Sequence, residues 1–190
     1  MPHAIVLRSI LSLLLGTLFA AASYAAVTPF AHYRMGDGAP ATNGGRNLPY
    51  DFSGSGRHMA NSAPGTPVIT PSGGPSGDAY YTFNGSNQFF YGTATAWNPP
   101  EDNVGVEAWV RTSNLAQTNR HIFGTAANVT GINLGFEASN GSGWFGAIAG
   151  RAFVGNTGIA TYVAGTWIHL AIVRSAGVTT FYANGITYGT

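Results

Sequence analysis

The seven residues VGVEAWV, from Val104 to Val110, alternate between small or branched apolar side chains and residues of other kinds. Successive side chains of a β-strand point to opposite faces of the sheet, so this period of two separates the segment into two faces. The valines and the alanine form one face, and Glu107, Trp109 and Arg111 form the other. The pattern predicts a strand with one covered face and one open face, which requires a second layer of structure.

Further segments of this kind follow, and none beyond the first 25 residues has a helical period. TTFYANGITYG sets Asn184-Gly185 between two alternating runs, a strong hairpin signal, and Asn84-Gly85 predicts another turn. TWIHLAIVRS is apolar on both faces, which predicts a central strand. The 27 glycines and 13% aromatics are typical of many short strands and tight turns. The sequence therefore predicts an all-β protein, an antiparallel β-sandwich.

The first 25 residues have the three parts of a secretory signal peptide. MPHAIVLR gives a basic start and SILSLLLGTLFAAA an apolar run, and SYA places small residues at positions −3 and −1 of a cleavage site after Ala25. A membrane anchor is the alternative, but the apolar run is short for a span. We therefore predict a signal peptide over residues 1–25, a domain over 26–190, and a secreted or cell-surface protein with no membrane span.

Composition narrows the function further. Charged residues make up 8% of the chain, lysine is absent, and the formal net charge is +1, so no nucleic-acid surface is expected. Without cysteine there is neither a disulfide nor a thiolate metal site, and an exported chain lacking lysine and cysteine favours a bacterial origin. The sequence of residues 26–78 predicts a short strand at Ala31–Met35. It then predicts a long loop on the surface of the domain rather than a flexible linker.

Several segments, in this order, resemble the laminin-G-like family of concanavalin A-like lectin/glucanase jelly-roll domains. They are YRMGD (33–37), DFSGSGRHM (51–59), YYTFNGSNQFF (80–90), VEAWVRT (106–112) and GTWIHLAIVRSAGVTTFYANG (165–185). The resemblance covers Phe30 to Thr190 and implies an extracellular domain for adhesion or glycan binding. Family members continue past this hairpin to an Asp-Glu pair and a closing strand, so the resemblance implies that the jelly roll is incomplete at its C-terminus by about three strands.

An enzyme of the laminarinase-like type is the alternative from another class. Those hydrolases share this fold and carry several acidic residues alternating along one strand, whereas the corresponding strand here offers Glu107 alone. Glycoside hydrolysis requires two carboxylates, and Glu137 is the residue that would have to approach Glu107. We therefore expect no catalytic residues. Glu107 can instead form a hydrogen bond across the sheet or pair with an arginine on a neighbouring strand.

The polar face of the strand at 104–110 is the predicted ligand site. Glu107, Trp109 and Arg111 lie on it, and Trp144, beside a run of glycines, is added as an exposed loop tryptophan. Trp109 either stacks on a sugar ring or packs beneath a loop. Trp167 is expected in the core, and His169 is expected to be buried and hydrogen-bonded.

Calcium is the one cofactor that the resemblance implies, held at the rim of the sandwich by oxygen ligands. The candidate ligands are Asp51, Asp102 and Asn184, although Asp51 can instead close a local Asx-turn and Asn184 can serve its hairpin. The partners that we expect are a glycan or an extracellular protein. The prediction is an exported, non-catalytic binding or adhesion module. The alternatives are a glycoside hydrolase or lyase and a structural piece of a larger surface protein.

Overall fold

The structure is a computed structural model that describes residues 28–35, 41–42, 46–61, 65–92, 102–114, 120–125, 131–137, 143–148, 151–153 and 163–190. For residues 41–42, 46–47, 136–137, 143–145 and 151–153 it describes the backbone alone. The predicted signal peptide lies outside the described residues. The regular structure in the described residues consists of β-strands, as the sequence predicts.

Fourteen strands follow one another along the described parts of the chain. They are β1 (Ala41–Thr42), β2 (Arg46–Asn47), β3 (Ala60–Asn61), β4 (Val68–Thr70), β5 (Tyr80–Thr82), β6 (Phe90–Tyr91), β7 (Val104–Val110), β8 (Arg120–Gly124), β9 (Ile132–Glu137), β10 (Gly143–Ile148), β11 (Arg151–Phe153), β12 (Ile168–Ser175), β13 (Val178–Ala183) and β14 (Ile186–Gly189).

Two four-stranded antiparallel sheets form the body of the domain. One has the strand order β14-β13-β12-β7 and the other has the order β11-β10-β9-β8. Three two-stranded pairs, β1-β2, β3-β6 and β4-β5, accompany them. The two large sheets face each other, because side chains from both build one core. The predicted antiparallel β-sandwich is therefore confirmed.

The core consists of apolar side chains that alternate along the inner faces of four strands. Its buried members are Ile132, Leu134, Ile148, Ile168, Leu170, Ile172, Phe181 and Ala183. The valines of β7 are partly buried and pack against this cluster, while the intervening residues of that strand are exposed. The alternation predicted for Val104–Val110 is thus confirmed.

Strand β12 lies between β7 and β13, which confirms that it is a central strand. Its inner residues, such as Leu170 and Ile172, are fully buried. Its outer face is covered only in part, since Ala171 is buried whereas Val173 is 37% exposed. The expectation of burial on both faces was therefore too strong.

The two Asn-Gly sequences adopt different structures. Asn184 and Gly185 have φ values of 48° and 77° and join β13 directly to β14, as in a type I′ hairpin, so this prediction is confirmed. Around Asn84 the chain also turns, with the Asn84 side-chain oxygen accepting the amides of Ser86 and Asn87. The flanking strands pair elsewhere, β5 with β4 and β6 with β3, so that turn belongs to a longer loop.

The strand expected at Ala31–Met35 is reduced to a single antiparallel bridge between Tyr33 and Asp51. The reason is that the backbone here bonds to a side chain rather than to a full partner strand. The His32 amide donates to the Asp51 carboxylate at 3.0 Å, and the His32 carbonyl accepts from the Phe52 amide at 2.7 Å. The prediction of a strand at Ala31–Met35 was therefore wrong.

The two sheets are in close contact where Gly146 of β10 faces Ile172 of β12. A Cβ atom on Gly146 would lie 2.5 Å from Cδ1 of Ile172. We expect Gly146→Ala to lower the free energy of unfolding by about 1–3 kcal/mol through overpacking. In an Ile172→Val background, which lacks that methyl group, the same change should cost clearly less. Urea denaturation of the double-mutant cycle measures this coupling, and additive costs would contradict it.

Candidate ligand-binding site

One face of the β7-β12 pair points away from the core and carries the predicted site. The register pairs Trp109 with His169, so the odd-numbered residues of both strands lie on this face. We call Glu107, Trp109 and Arg111 of β7, with Trp167 and His169 beside them, the outer strip. The strip brings together three of the four residues predicted to bind ligand.

At one end of the outer strip, Glu107 and His169 form a cross-strand pair. The Nε2 atom of His169 lies 3.3 Å from Oε2 of Glu107, and the side chains are 25% and 74% exposed, respectively. Glu107 thus has a cross-strand partner, one that is a histidine rather than an arginine. The expectation that His169 is buried was wrong, because the outer face of β12 is only partly covered.

In the middle of the outer strip, Trp109 is 53% exposed. Its ring contacts the His169 ring, with the centroids 5.1 Å apart and the planes inclined at 46°. A tryptophan is usually well buried in a folded protein, so half of an indole facing solvent is informative. Two roles were predicted for Trp109, stacking on a sugar ring or packing beneath a loop. The exposed ring fits the stacking role.

At the other end, Arg111 packs against two aromatic rings. Its guanidinium carbon is 4.8 Å from the ring centroid of Tyr80 and 4.9 Å from that of Trp167. Arg111 also donates a hydrogen bond of 2.7 Å to the Tyr80 hydroxyl. Hydrogen bonds to Thr70 and then Arg111 are the main causes that lower the pKa of Tyr80. This cluster fixes β5 against the end of the strip.

Trp167 belongs to the same cluster and not to the core, contrary to the sequence prediction. Its indole N–H donates to the Gly73 carbonyl at 2.9 Å, and its ring meets that of Tyr80 edge to face at 5.3 Å. Two positions before His169, Trp167 has the parity of the outer face, a signal already present in the sequence. Tyr80 carried no such signal, since it comes from a distant segment.

The structure describes only the backbone of Trp144 and Glu137. They lie on β10 and β9, in the sheet opposite the one that carries the outer strip, and their side chains are not among the described parts. A ligand role for Trp144 and an approach of Glu137 to Glu107 therefore stay predictions.

The structure does not bring the three calcium candidates together. Asp51 is 2% exposed, and its carboxylate accepts the amides of His32, Ser53 and Arg57 at 2.9–3.0 Å. Burial alone would raise the pKa of Asp51, but these hydrogen bonds lower it to about 2. The Ser53 contact is the Asx-turn that was the alternative for this residue.

Asp102 and Asn184 lie at opposite ends of β12. The Asp102 carboxylate accepts the Gly177 amide at 3.3 Å and approaches Arg174, whereas the Asn184 oxygen accepts the His169 amide at 2.9 Å. Arg174 and His169 are five positions apart on one strand, about 16 Å. Within the described residues, no group of three or more histidine, aspartate or glutamate side chains is arranged to hold a metal. Calcium binding stays a prediction.

The distance between the Arg174 end and the His169 end of β12 also bears on catalysis. Hydrolysis by two carboxylates requires them about 5–10 Å apart, and Asp102 near Arg174 is farther than that from Glu107 near His169. The group that the structure places beside Glu107 is the imidazole of His169.

The two antiparallel sheets and their shared core define a β-sandwich of the concanavalin A-like class. The chain belongs to the concanavalin A-like lectin/glucanases superfamily, since the Laminin_G_3 family model matches residues 75–190. This match confirms the resemblance over residues 75–190, which include every strand from β5 to β14, whereas the resemblance of residues 30–74 stays a prediction. Searches of curated proteins and of solved structures each return no match.

Membership places the protein in a general functional class. Laminin G-like domains bind glycans or proteins and are typically extracellular, and the superfamily also includes glycosidases. In the described part of the chain, no helix has the length and hydropathy needed to cross a membrane.

Proposed function

We propose that the protein is an exported, non-catalytic module that binds glycans through the outer strip. The observation that carries this proposal is the 53% exposed indole of Trp109, flanked on its own face by Glu107 and His169. The signal peptide, with cleavage after Ala25, is part of the proposal. A calcium ion at the rim is a further part, tested by adding EDTA to the binding assay.

An exposed indole with polar neighbours suits a sugar for two reasons. The negative face of the ring attracts the C–H groups on one side of a pyranose, which gives contact area without a deep pocket. The carboxylate of Glu107 and the imidazole of His169 can then exchange hydrogen bonds with hydroxyl groups at the ring edge. Binding sites commonly combine such an apolar surface with a few placed polar groups.

The size of the strip favours a glycan over a folded protein as the ligand. A stable protein interface buries about 800 Å² on each partner and centres on a desolvated cluster of anchors. The strip presents one exposed tryptophan, since Arg111 and Trp167 are already packed against Tyr80. A narrow ligand such as a polysaccharide chain needs no more than this.

Trp109→Ala tests the proposal. We expect affinity for the bound glycan to fall about 10- to 30-fold, the loss typical of a central aromatic anchor, and Trp109→Phe to lose less. The measurement is titration calorimetry with the best ligand from a panel of β-1,3-, β-1,4- and N-acetylated oligosaccharides. Phe89→Ala is the matched control, because Phe89 is an equally exposed aromatic residue (55%) outside the strip.

Other results would support the alternatives. Steady release of reducing sugar by the wild type, lost in Glu107→Gln with the fold intact, would make the protein a hydrolase. Binding that is unchanged in Trp109→Ala would move the site elsewhere. Failure to bind every glycan in the panel would favour a protein ligand or a purely structural role.

A further inference from the structure

We propose that Glu107 determines specificity by charge, so that the outer strip selects neutral glycans over anionic ones such as uronates. This inference rests on the proposed function, because it concerns the ligand of the same strip. It adds the chemical class of that ligand and assigns the discrimination to one side chain.

The acidic group beside Trp109 on the same strand is the exposed carboxyl group of Glu107. The Glu107 side chain is 74% exposed, and its neighbour His169 carries a charge only if it is protonated. The contact with His169 leaves most of the carboxylate surface open to solvent. A sugar stacked on Trp109 therefore meets a carboxylate at one edge.

The nearest cation on the same strand is already engaged. Arg111 is four residues from Glu107, about 13 Å along the strand, and donates to the Tyr80 hydroxyl. Its guanidinium also packs against the rings of Tyr80 and Trp167. Arg111 is two residues from Trp109, as Glu107 is, but on the opposite side, and these contacts hold its positive charge toward β5. The edge of a bound sugar that is nearer Glu107 therefore faces the carboxylate rather than the guanidinium.

The expected discrimination follows from the spacing of the strand. Glu107 and Trp109 are two positions apart, about 7 Å, and an anionic group at that distance is repelled enough to weaken binding about 3- to 10-fold. Salt at about 1 M should abolish this difference in binding, because it reduces the electrostatic screening length to about 3 Å.

The experiment compares neutral hexasaccharides with their uronate forms. Laminarihexaose, cellohexaose and N-acetylchitohexaose report neutral binding, and the first two are oxidised at C6 to give anionic probes of the same linkage. Calorimetry at pH 8 in low salt should show neutral forms binding about 3- to 10-fold more tightly than oxidised forms. In Glu107→Gln, or in 1 M NaCl, the two forms should bind alike.

Asp78→Asn is the matched control. It removes the same charge from an exposed loop residue beyond the Arg111 end of the strip, and it should leave the discrimination intact. Equal binding of both forms by the wild type, preference for the oxidised form, or discrimination that persists in Glu107→Gln would each overturn the inference while the proposed function stands. If no hexasaccharide binds, the proposed function and this inference both fail.

Discussion

Replacing Phe181 by alanine is expected to lower the free energy of unfolding by about 3–5 kcal/mol, the range typical of buried aromatic residues. Phe181 is 0% exposed and pairs with Ile172 in the register of β12 and β13. It belongs to the cluster that both large sheets build. Its loss leaves a cavity that β-strands, fixed by their ladders, can close only in part.

Urea denaturation followed by circular dichroism measures this loss. Val178→Ala is the matched control on the same strand, because Val178 is 54% exposed and should cost under about 0.5 kcal/mol. Phe181→Leu should fall between the two. A loss below about 1 kcal/mol in Phe181→Ala would show that the cluster is not the core that joins the sheets.

Asp51→Ala is the second large effect, with an expected loss of about 2–4 kcal/mol. The Asp51 carboxylate is buried and accepts three backbone amides, from His32, Ser53 and Arg57. Alanine leaves all three donors without this acceptor. Hydrogen exchange followed by NMR should show these amides losing protection, whereas Asp78→Asn should leave them unchanged. Retained protection in Asp51→Ala would contradict the role assigned to the carboxylate.

The same network makes stability depend on acid. The folded-state pKa of Asp51 is lowered from 3.8 to about 2, so its contribution is present above pH 4 and is lost as the pH falls toward 2. We expect about 2 kcal/mol from this group. Asp51→Asn should flatten the stability profile between pH 4 and pH 2. An unchanged profile in that variant would assign the acid sensitivity to other carboxylates.

The features that the sequence predicted correctly are those fixed by neighbouring residues. Alternation along Val104–Val110 decides which side chains face the core, and it needs no knowledge of the partner strands. Asn184-Gly185 likewise specifies its own turn, since both residues accept a positive φ. These two segments alone anticipate most of the sheet β14-β13-β12-β7.

The errors concern residues whose partners are distant in sequence. Trp167 was assigned to the core from its place at the start of an apolar strand, but Gly73 and Tyr80 provide its contacts on the outer face. At Ala31–Met35, backbone groups bond to the loop containing Asp51, which no local pattern reveals. His169 was expected to be buried because the covering of the outer face was overestimated.

The candidate site also combines features fixed by neighbouring residues with features that depend on distant segments. The strand period placed Glu107, Trp109 and Arg111 on one face, and the structure confirms that placement. The Glu107–His169 pair depends on the register of β7 against β12, and the Arg111–Tyr80 contact depends on where β5 lies. Register and the docking of remote strands are set by the packing of the whole domain, so they could not be read from either segment alone.

The pairing of β7 with β12 has a consequence for how the domain folds. Val110 pairs with Ile168, whereas β12, β13 and β14 are joined by short turns that close quickly. The three-stranded meander therefore has only short loops to close, whereas β7 joins it across the whole segment that carries β8 to β11. The outer strip exists only once β7 has paired with β12, so a chain without that pairing would have a partial sheet and no Trp109–His169 contact. Any ligand of the strip would accordingly act as a selective stabiliser of the completed fold.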